Sequence, residues 1–214
     1  MLPGWFIVIS IFIRLISGGQ YIRGMLRGKA RPNPFTWFLW GVTPLIALAA
    51  QLPHGFNGQS LMLLALGVSP LLIGGIASVR WGIRAYLTPF TLACTGIALA
   101  GILLWRITTL PELAIIFGIV ADIFATLPTL HKAYLNPESE YPLPYLLSIC
   151  SMVVALLTIS DWSFTVYAFP LYMLCINITL FFFALLPLRA MVKRIDEYKL
   201  KFLKQGLEEP SDSI

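Results

Sequence analysis

Residues 113–140 read "LAIIFGIVADIFATLPTLHKAYLNPESE". From Leu113 to Leu130 the run is apolar or small except for Asp122, Thr126, Pro128 and Thr129, and it then breaks at His131, Lys132 and the turn-forming Asn136-Pro137-Glu138-Ser139. A bilayer's hydrocarbon core takes about 20 mostly apolar residues per helix, with roughly 17–25 as the range. Leu113–Leu130 therefore reads as a membrane-crossing helix with one acid near its middle. The apolar residues are continuous rather than alternating, which excludes a spanning β-strand.

The rest of the chain has the same character. Of its 214 residues 58% are hydrophobic and 12% charged, and the mean hydropathy is +0.82. A soluble domain carries roughly 45–50% apolar and about 25% charged residues. The charge deficit excludes a soluble enzyme, a disordered chain and a nucleic-acid-binding module, despite a net charge of +5. Cys94, Cys150 and Cys175 lie in apolar stretches as small packing residues, with no disulfide or metal spacing. Six more stretches join Leu113–Leu130 as expected spans: Trp5–Ile22, Pro34–Gln51, Ser60–Val79, Thr88–Trp105, Leu143–Ser160 and Phe164–Leu186. The first begins without a basic segment and has no small-residue cleavage site after it, so it is expected to be a span and not a signal peptide.

Lysine and arginine set an orientation. Arg23, Arg27, Lys29 and Arg31 follow the first span, Arg80 and Arg84 the third, and Lys132 the fifth. The tail adds Arg189, Lys193, Arg194, Lys199, Lys201 and Lys204, while the opposite side holds Arg106 alone. The positive-inside rule then places the N-terminus outside and the C-terminus in the cytoplasm, which requires an odd number of spans. The tail from Arg189 to Lys204 interleaves basic residues with Val192, Ile195, Tyr198 and Phe202, a pattern for an amphipathic segment on an anionic leaflet, and the last residues, "GLEEPSDSI", read as disordered.

Seven spans divide as three, one and three. Shifting the chain by 108 residues lays Pro34 on Pro142, Trp37 on Tyr145, Leu39 on Leu147 and Ser69 on Asn177. Within the second half, "DIFATLPTLHKAYLNPESE" has Pro128-Thr129, then Lys132, then Ser139 after a short polar turn. The first half reads "GGQYIRGMLRGKARPNPFTWFLWG", with Gly19-Gln20 where Pro-Gln would stand and Arg23 as the basic residue. These segments resemble the PQ-loop motif, and the chain resembles the PQ-loop superfamily that includes the SWEET and SemiSWEET sugar facilitators. The resemblance implies an all-α integral membrane protein with seven transmembrane helices in a 3+1+3 parallel-repeat arrangement. Residues 1–87 would form the first triple-helix repeat, 88–110 a linker helix, 111–188 the second repeat and 189–214 a cytoplasmic tail.

Two charges fall inside the spans, Arg14 in "FIVISIFIRLISG" and Asp122, and they are repeat-equivalent at the shift of 108. Each costs about 2.5–3.5 kcal/mol at a helix centre on insertion scales, so each should face protein or water. They are expected to pair across the two-fold, either beside a central cavity or as a bridge that only locks the halves together. Polar residues recur at helical spacing: Ser10, Arg14, Ser17 and Tyr21 on the first span; Asp122, Thr126 and Thr129 on the fifth; Ser148, Ser151 and Thr158 on the sixth. Such stripes line a wet cavity, unless each hydroxyl bonds its own i−4 carbonyl. Asn177 lies in the apolar run "YMLCINITLFFF", and the resemblance matches it to the asparagine that lines the sugar pocket, with Ser69 in its place in the first half. Trp37 and Trp40 share a helix face for stacking on a ligand or anchoring at the membrane interface, and Trp40 lies deeper. Pro44, Pro70, Pro128 and Pro170 permit kinks inside spans.

His54 and His131 are the only histidines and have no carboxylate at metal spacing, so no metal, cofactor or enzymatic site is expected. No ATP motif is present, and Asp122 is the one candidate proton carrier. The expected function is transport or facilitation of a small polar solute, a sugar among the candidates, by alternating access at a mid-membrane cavity formed by Arg14, Trp40, Ser69, Asp122, Ser148 and Asn177. The alternative is a non-transporting receptor, sorting factor or assembly protein on the same fold. Expected partners are a small-molecule solute, the lipid bilayer and a second copy in a homo-oligomer, with no nucleic acid. The expected location is the cell membrane, as a multi-pass protein, in a bacterial inner membrane rather than a eukaryotic organelle.

Overall fold

Proline starts four of the helices. At the first helical position it lacks only an N–H that would go unpaired there, and its fixed φ suits the helix. A computed structural model describes residues 3–51, 58–160 and 162–186. The loop carrying His54 and the tail from Arg189 lie outside the described residues. Among the described residues there are seven α-helices: α1 (Ile7–Leu26), α2 (Pro34–Gln51), α3 (Gly58–Trp81), α4 (Pro89–Ile107), α5 (Pro111–Leu135), α6 (Pro142–Leu157) and α7 (Phe164–Leu185). Thr88 caps α4, its Oγ1 accepting from the Thr91 amide at 3.1 Å.

Helix ends differ from the apolar stretches for local reasons. α1 continues past Ile22 to Leu26 and stops at Gly28, whose φ of +77° is left-handed. The Lys29 amide donates to Gly24 O (2.8 Å) and the Gly28 amide to Met25 O (3.0 Å), closing a Schellman motif. α5 runs five residues beyond Leu130, so His131 and Lys132 ride on helix instead of loop. It ends where Pro137 disfavours helical backbone at Asn136, which stands at φ −138°, ψ 75°.

Among the described residues four segments are long and apolar enough to cross a membrane: Leu61–Trp81, Pro89–Ile107, Ile115–Leu135 and Val166–Leu185; Pro142–Leu157 is apolar but shorter. Their outer faces carry exposed aliphatic and aromatic side chains, for example Leu171, Ile178, Phe182 and Leu185 along one face of α7. In water such faces would be unfavourable; against lipid they are the ordinary outer surface. The described residues are all-helical, and their apolar helices make this a membrane-embedded protein.

α1 packs on α3 and α6, α5 on α7 and α2, and the pairs α2–α3 and α6–α7 lie side by side. α4 stands outside these, against α5 and α2. The α2–α3 crossing is made close by Gly41 and Gly67. A Cβ on Gly41 would sit 2.9 Å from Gly67 O, and one on Gly67 3.0 Å from Gly41 O, so only hydrogen fits at either position. Serine and threonine join the α1–α6 and α2–α5 seams. Ser10 Oγ donates to Ser151 O (3.0 Å) and Ser151 Oγ to Ser10 O (2.9 Å), while Thr129 Oγ1 donates to Thr36 Oγ1 (3.1 Å). Where no water reaches, each such bond satisfies a polar group that would otherwise be left unpaired, at a net gain averaging about 0.6 kcal/mol in membrane proteins.

Candidate functional site

The seams leave a cavity of about 730 Å³ between α1, α2, α3, α5, α6 and α7, with Trp105 of α4 at its side. At one end it reaches Ile7, Ile115 and Val166, near the N-termini of α1, α5 and α7, and Ile159, just past the end of α6. At the other end it stops on Tyr21, Trp37, Tyr145 and Leu180. Arg14, Trp40, Ser69, Asp122, Ser148 and Asn177 all line this one space. Of the motif residues, Pro128 and Thr129 are buried in α5 outside the cavity lining, Gly19 is exposed on α1 and Gln20 half-buried beside it.

Arg14 and Asp122 share the cavity but do not pair. Arg14 Nη1 donates instead to Ser148 Oγ at 2.8 Å, and Ser17 Oγ lies 3.0 Å from the same hydroxyl while donating to Pro144 O (2.7 Å). Asp122 Oδ2 accepts from Tyr172 Oη at 2.7 Å and from Thr126 Oγ1 at 3.5 Å, and Thr126 in turn accepts from Trp40 Nε1 at 3.1 Å. The expected direct ion pair is thus replaced by two separate polar systems. Arg14 is held on α6 through Ser148 and Asp122 on α7 through Tyr172, and the two charges act on each other without direct contact. Asn177 Nδ2 donates to Met173 O at 2.7 Å, one turn back on α7. The Ser69 hydroxyl packs against Gly18, leaving no room for a Cβ there.

The serine and threonine stripes divide between the two expected roles. Ser10, Ser151 and Thr129 join helices to each other and lie outside the cavity lining; Ser17 and Ser148 do both. Thr158 Oγ1 bonds back to Ala155 O at 2.6 Å, in the self-satisfied manner. Trp37 is no interface anchor. It is 5% exposed, with its ring 4.3 Å from that of Tyr21 and 5.1 Å from that of Trp40.

Two functional candidates are not singled out in the sequence. Glu140 is 3% exposed just beyond the closed end of the cavity. Its Oε2 accepts from Tyr21 Oη (2.7 Å) and Tyr145 Oη (2.8 Å), and its Oε1 pairs with Lys132 Nζ at 2.5 Å. Lys132 also donates to the Arg31 carbonyl, and the Arg31 amide donates to Ser139 O at 2.8 Å. Tyr172 is the other, and its signal was that a lone intramembrane carboxylate needs a donor from a neighbouring span. Compared with known family models, curated proteins and solved structures, the chain matches none of them.

Proposed function

We propose that the protein is a seven-span, PQ-loop-like transporter that carries a small polar solute by alternating access, with its N-terminus outside and its C-terminus in the cytoplasm. The cavity carries this reading. A space of about 730 Å³ holding Arg14, Asp122 and Asn177 amid apolar walls has the size and lining of a small-molecule site. Intramembrane ionisable side chains of this kind mark solute or ion pathways.

Two triple-helix halves are supported by the packing. With α1, α2 and α3 set equivalent to α5, α6 and α7, the pairs α1–α3, α2–α3 and α1–α6 recur as α5–α7, α6–α7 and α5–α2. Arg31 and Ser139, joined through their backbones, are themselves 108 residues apart. Hydroxyl and carboxylate bonds, which water can replace when the halves part, cross the seam beside apolar clusters such as that of Ile11, Met62 and Met152. At the basic end, movement would separate Tyr21 of α1 from Glu140 and Tyr145.

The test is uptake by the full chain reconstituted in liposomes, against sugars, amino acids and vitamins. Saturable uptake of one class is expected, abolished by Asn177→Ala and by Asp122→Asn in protein that stays monodisperse. A folded protein that moves nothing in the panel would overturn the reading.

A further inference from the structure

From the atoms that the cavity leaves unpartnered, we infer that its ligand is a zwitterion with an apolar body, an α-amino acid with an aliphatic or aromatic side chain. This rests on the solute-site reading above and deepens it. Arg14 uses one N–H, on Nη1, and its Nη2 and Nε have no partner. The hydrogen bonds from Tyr172 and Thr126 to Asp122 end on Oδ2, with the Trp40 indole N–H also close to the carboxylate, so Oδ1 keeps acceptor capacity; Asn177 engages only its Nδ2, leaving its Oδ1 free. Among the described residues the sealed side-chain polar atoms without a hydrogen bond are Trp37 Nε1 and Glu140 Oε1, the latter ion-paired to Lys132. The free atoms of Arg14, Asp122 and Asn177 are therefore not sealed, and all three residues line the cavity.

These atoms are complementary to one kind of head group. A guanidinium edge with adjacent N–H donors matches a carboxylate in two-point contact. An ammonium has three donors and no acceptor, and here it meets two acceptors, Asp122 Oδ1 and Asn177 Oδ1. A neutral polyol can hydrogen-bond both side chains but supplies neither counter-charge, so both ions lose water without gaining an opposite charge, which is costly in low dielectric. An anion alone leaves Asp122 uncompensated, and a cation alone leaves Arg14 so. The remaining walls, Met62, Leu66, Phe169 and Met173 with the face of Trp40, offer apolar surface and no further charge.

The experiment measures binding to the full chain in lipid nanodiscs by calorimetry, with L-leucine, L-phenylalanine and L-tryptophan as zwitterions. Tryptamine keeps only the ammonium, indole-3-propionate keeps only the carboxylate, and D-glucose and sucrose are neutral. At least one zwitterion is expected to bind about tenfold or more tightly than either half-molecule and than both sugars. Arg14→Gln should remove the advantage of that zwitterion over tryptamine, and Asp122→Asn its advantage over indole-3-propionate, each leaving the other comparison in place. The wild-type comparison needs no variant, so misfolding of a variant does not shelter the inference. Binding of a sugar in preference to every zwitterion, or no zwitterion binding at all, overturns it. Uptake by the same protein in liposomes separates the two readings. Zwitterion binding without flux overturns transport alone, and glucose flux without zwitterion binding overturns this inference alone.

Discussion

Glu140 shows how much one side chain can hold in place when water is scarce. Its carboxylate joins Tyr21 of α1 to Tyr145 of α6 and to Lys132 of α5, so three helices meet on one acid. A hydrogen bond to a charged group contributes roughly 1.5–3 kcal/mol. Tyr21→Phe and Tyr145→Phe are each expected to lower unfolding stability by about that amount, read by titration with a denaturing detergent. Glu140→Ala strands the Lys132 ammonium and both hydroxyls together, and is expected to cost about 3–5 kcal/mol. Ser10→Ala makes the useful contrast: interhelical hydroxyl bonds in membrane proteins average about 0.6 kcal/mol, so its loss should be small. If the serine change proved as damaging as the glutamate change, Glu140 would not be the principal clamp. Arg14 and Asp122 are legible in the sequence because a charge inside an apolar run has no ordinary explanation. Glu140 is not, since an acid in the polar turn "NPESE" is unexceptional until α6 folds back beneath Tyr21. Their failure to pair was equally hidden, because repeat equivalence fixes position along the helix and not the direction a side chain takes.

At the scale of the helices, hydropathy locates the centre of each element and says little about its ends. α2 begins and ends where its apolar run does, at Pro34 and Gln51. α5 overshoots to Leu135 because helix persists in the aqueous margin until Pro137 stops it. Glycine placement is the second thing a hydropathy reading does not decide, since a glycine that permits contact and one that merely occurs look alike. Gly41 and Gly67 bring α2 and α3 backbone to backbone, whereas nothing lies within 4 Å of a Cβ placed on Gly19. Gly41→Val is expected to destabilise by about 1–3 kcal/mol through overpacking. Gly19→Ala is expected to stabilise by about 0.5–1 kcal/mol, because an exposed helical glycine loses more backbone freedom than alanine. Parallel unfolding titrations of the two variants check both signs, and a stabilised Gly41→Val would mean that the α2–α3 contact is looser than its geometry.

For the whole molecule, if the two halves rock as proposed, the state in which they rest is not legible in the sequence, because both states of such a cycle would satisfy one hydropathy pattern. Here the cavity extends to Ile159 and Val166 at one end and is stopped at the other by Tyr21, Trp37 and Tyr145, with Glu140 and Lys132 beyond them. Accessibility should therefore be one-sided. With Cys94, Cys150 and Cys175 replaced by alanine, Thr158→Cys and Ser148→Cys mark the mouth and the interior, since both native residues line the space. A membrane-impermeant thiol reagent is expected to label both from the side of the α6 C-terminus, the external side in the orientation proposed above. Thr158→Cys should react faster, being nearer the mouth, and a bound solute should shield Ser148→Cys while sparing Thr158→Cys. Glu140→Gln weakens the clamp at the closed end without removing its bulk, and it should open a second route, so that Ser148→Cys also labels from the basic side. That gain is specific to a clamp between moving halves. If Glu140 only braced a static bundle, the substitution would change stability and leave the side of labelling unaltered.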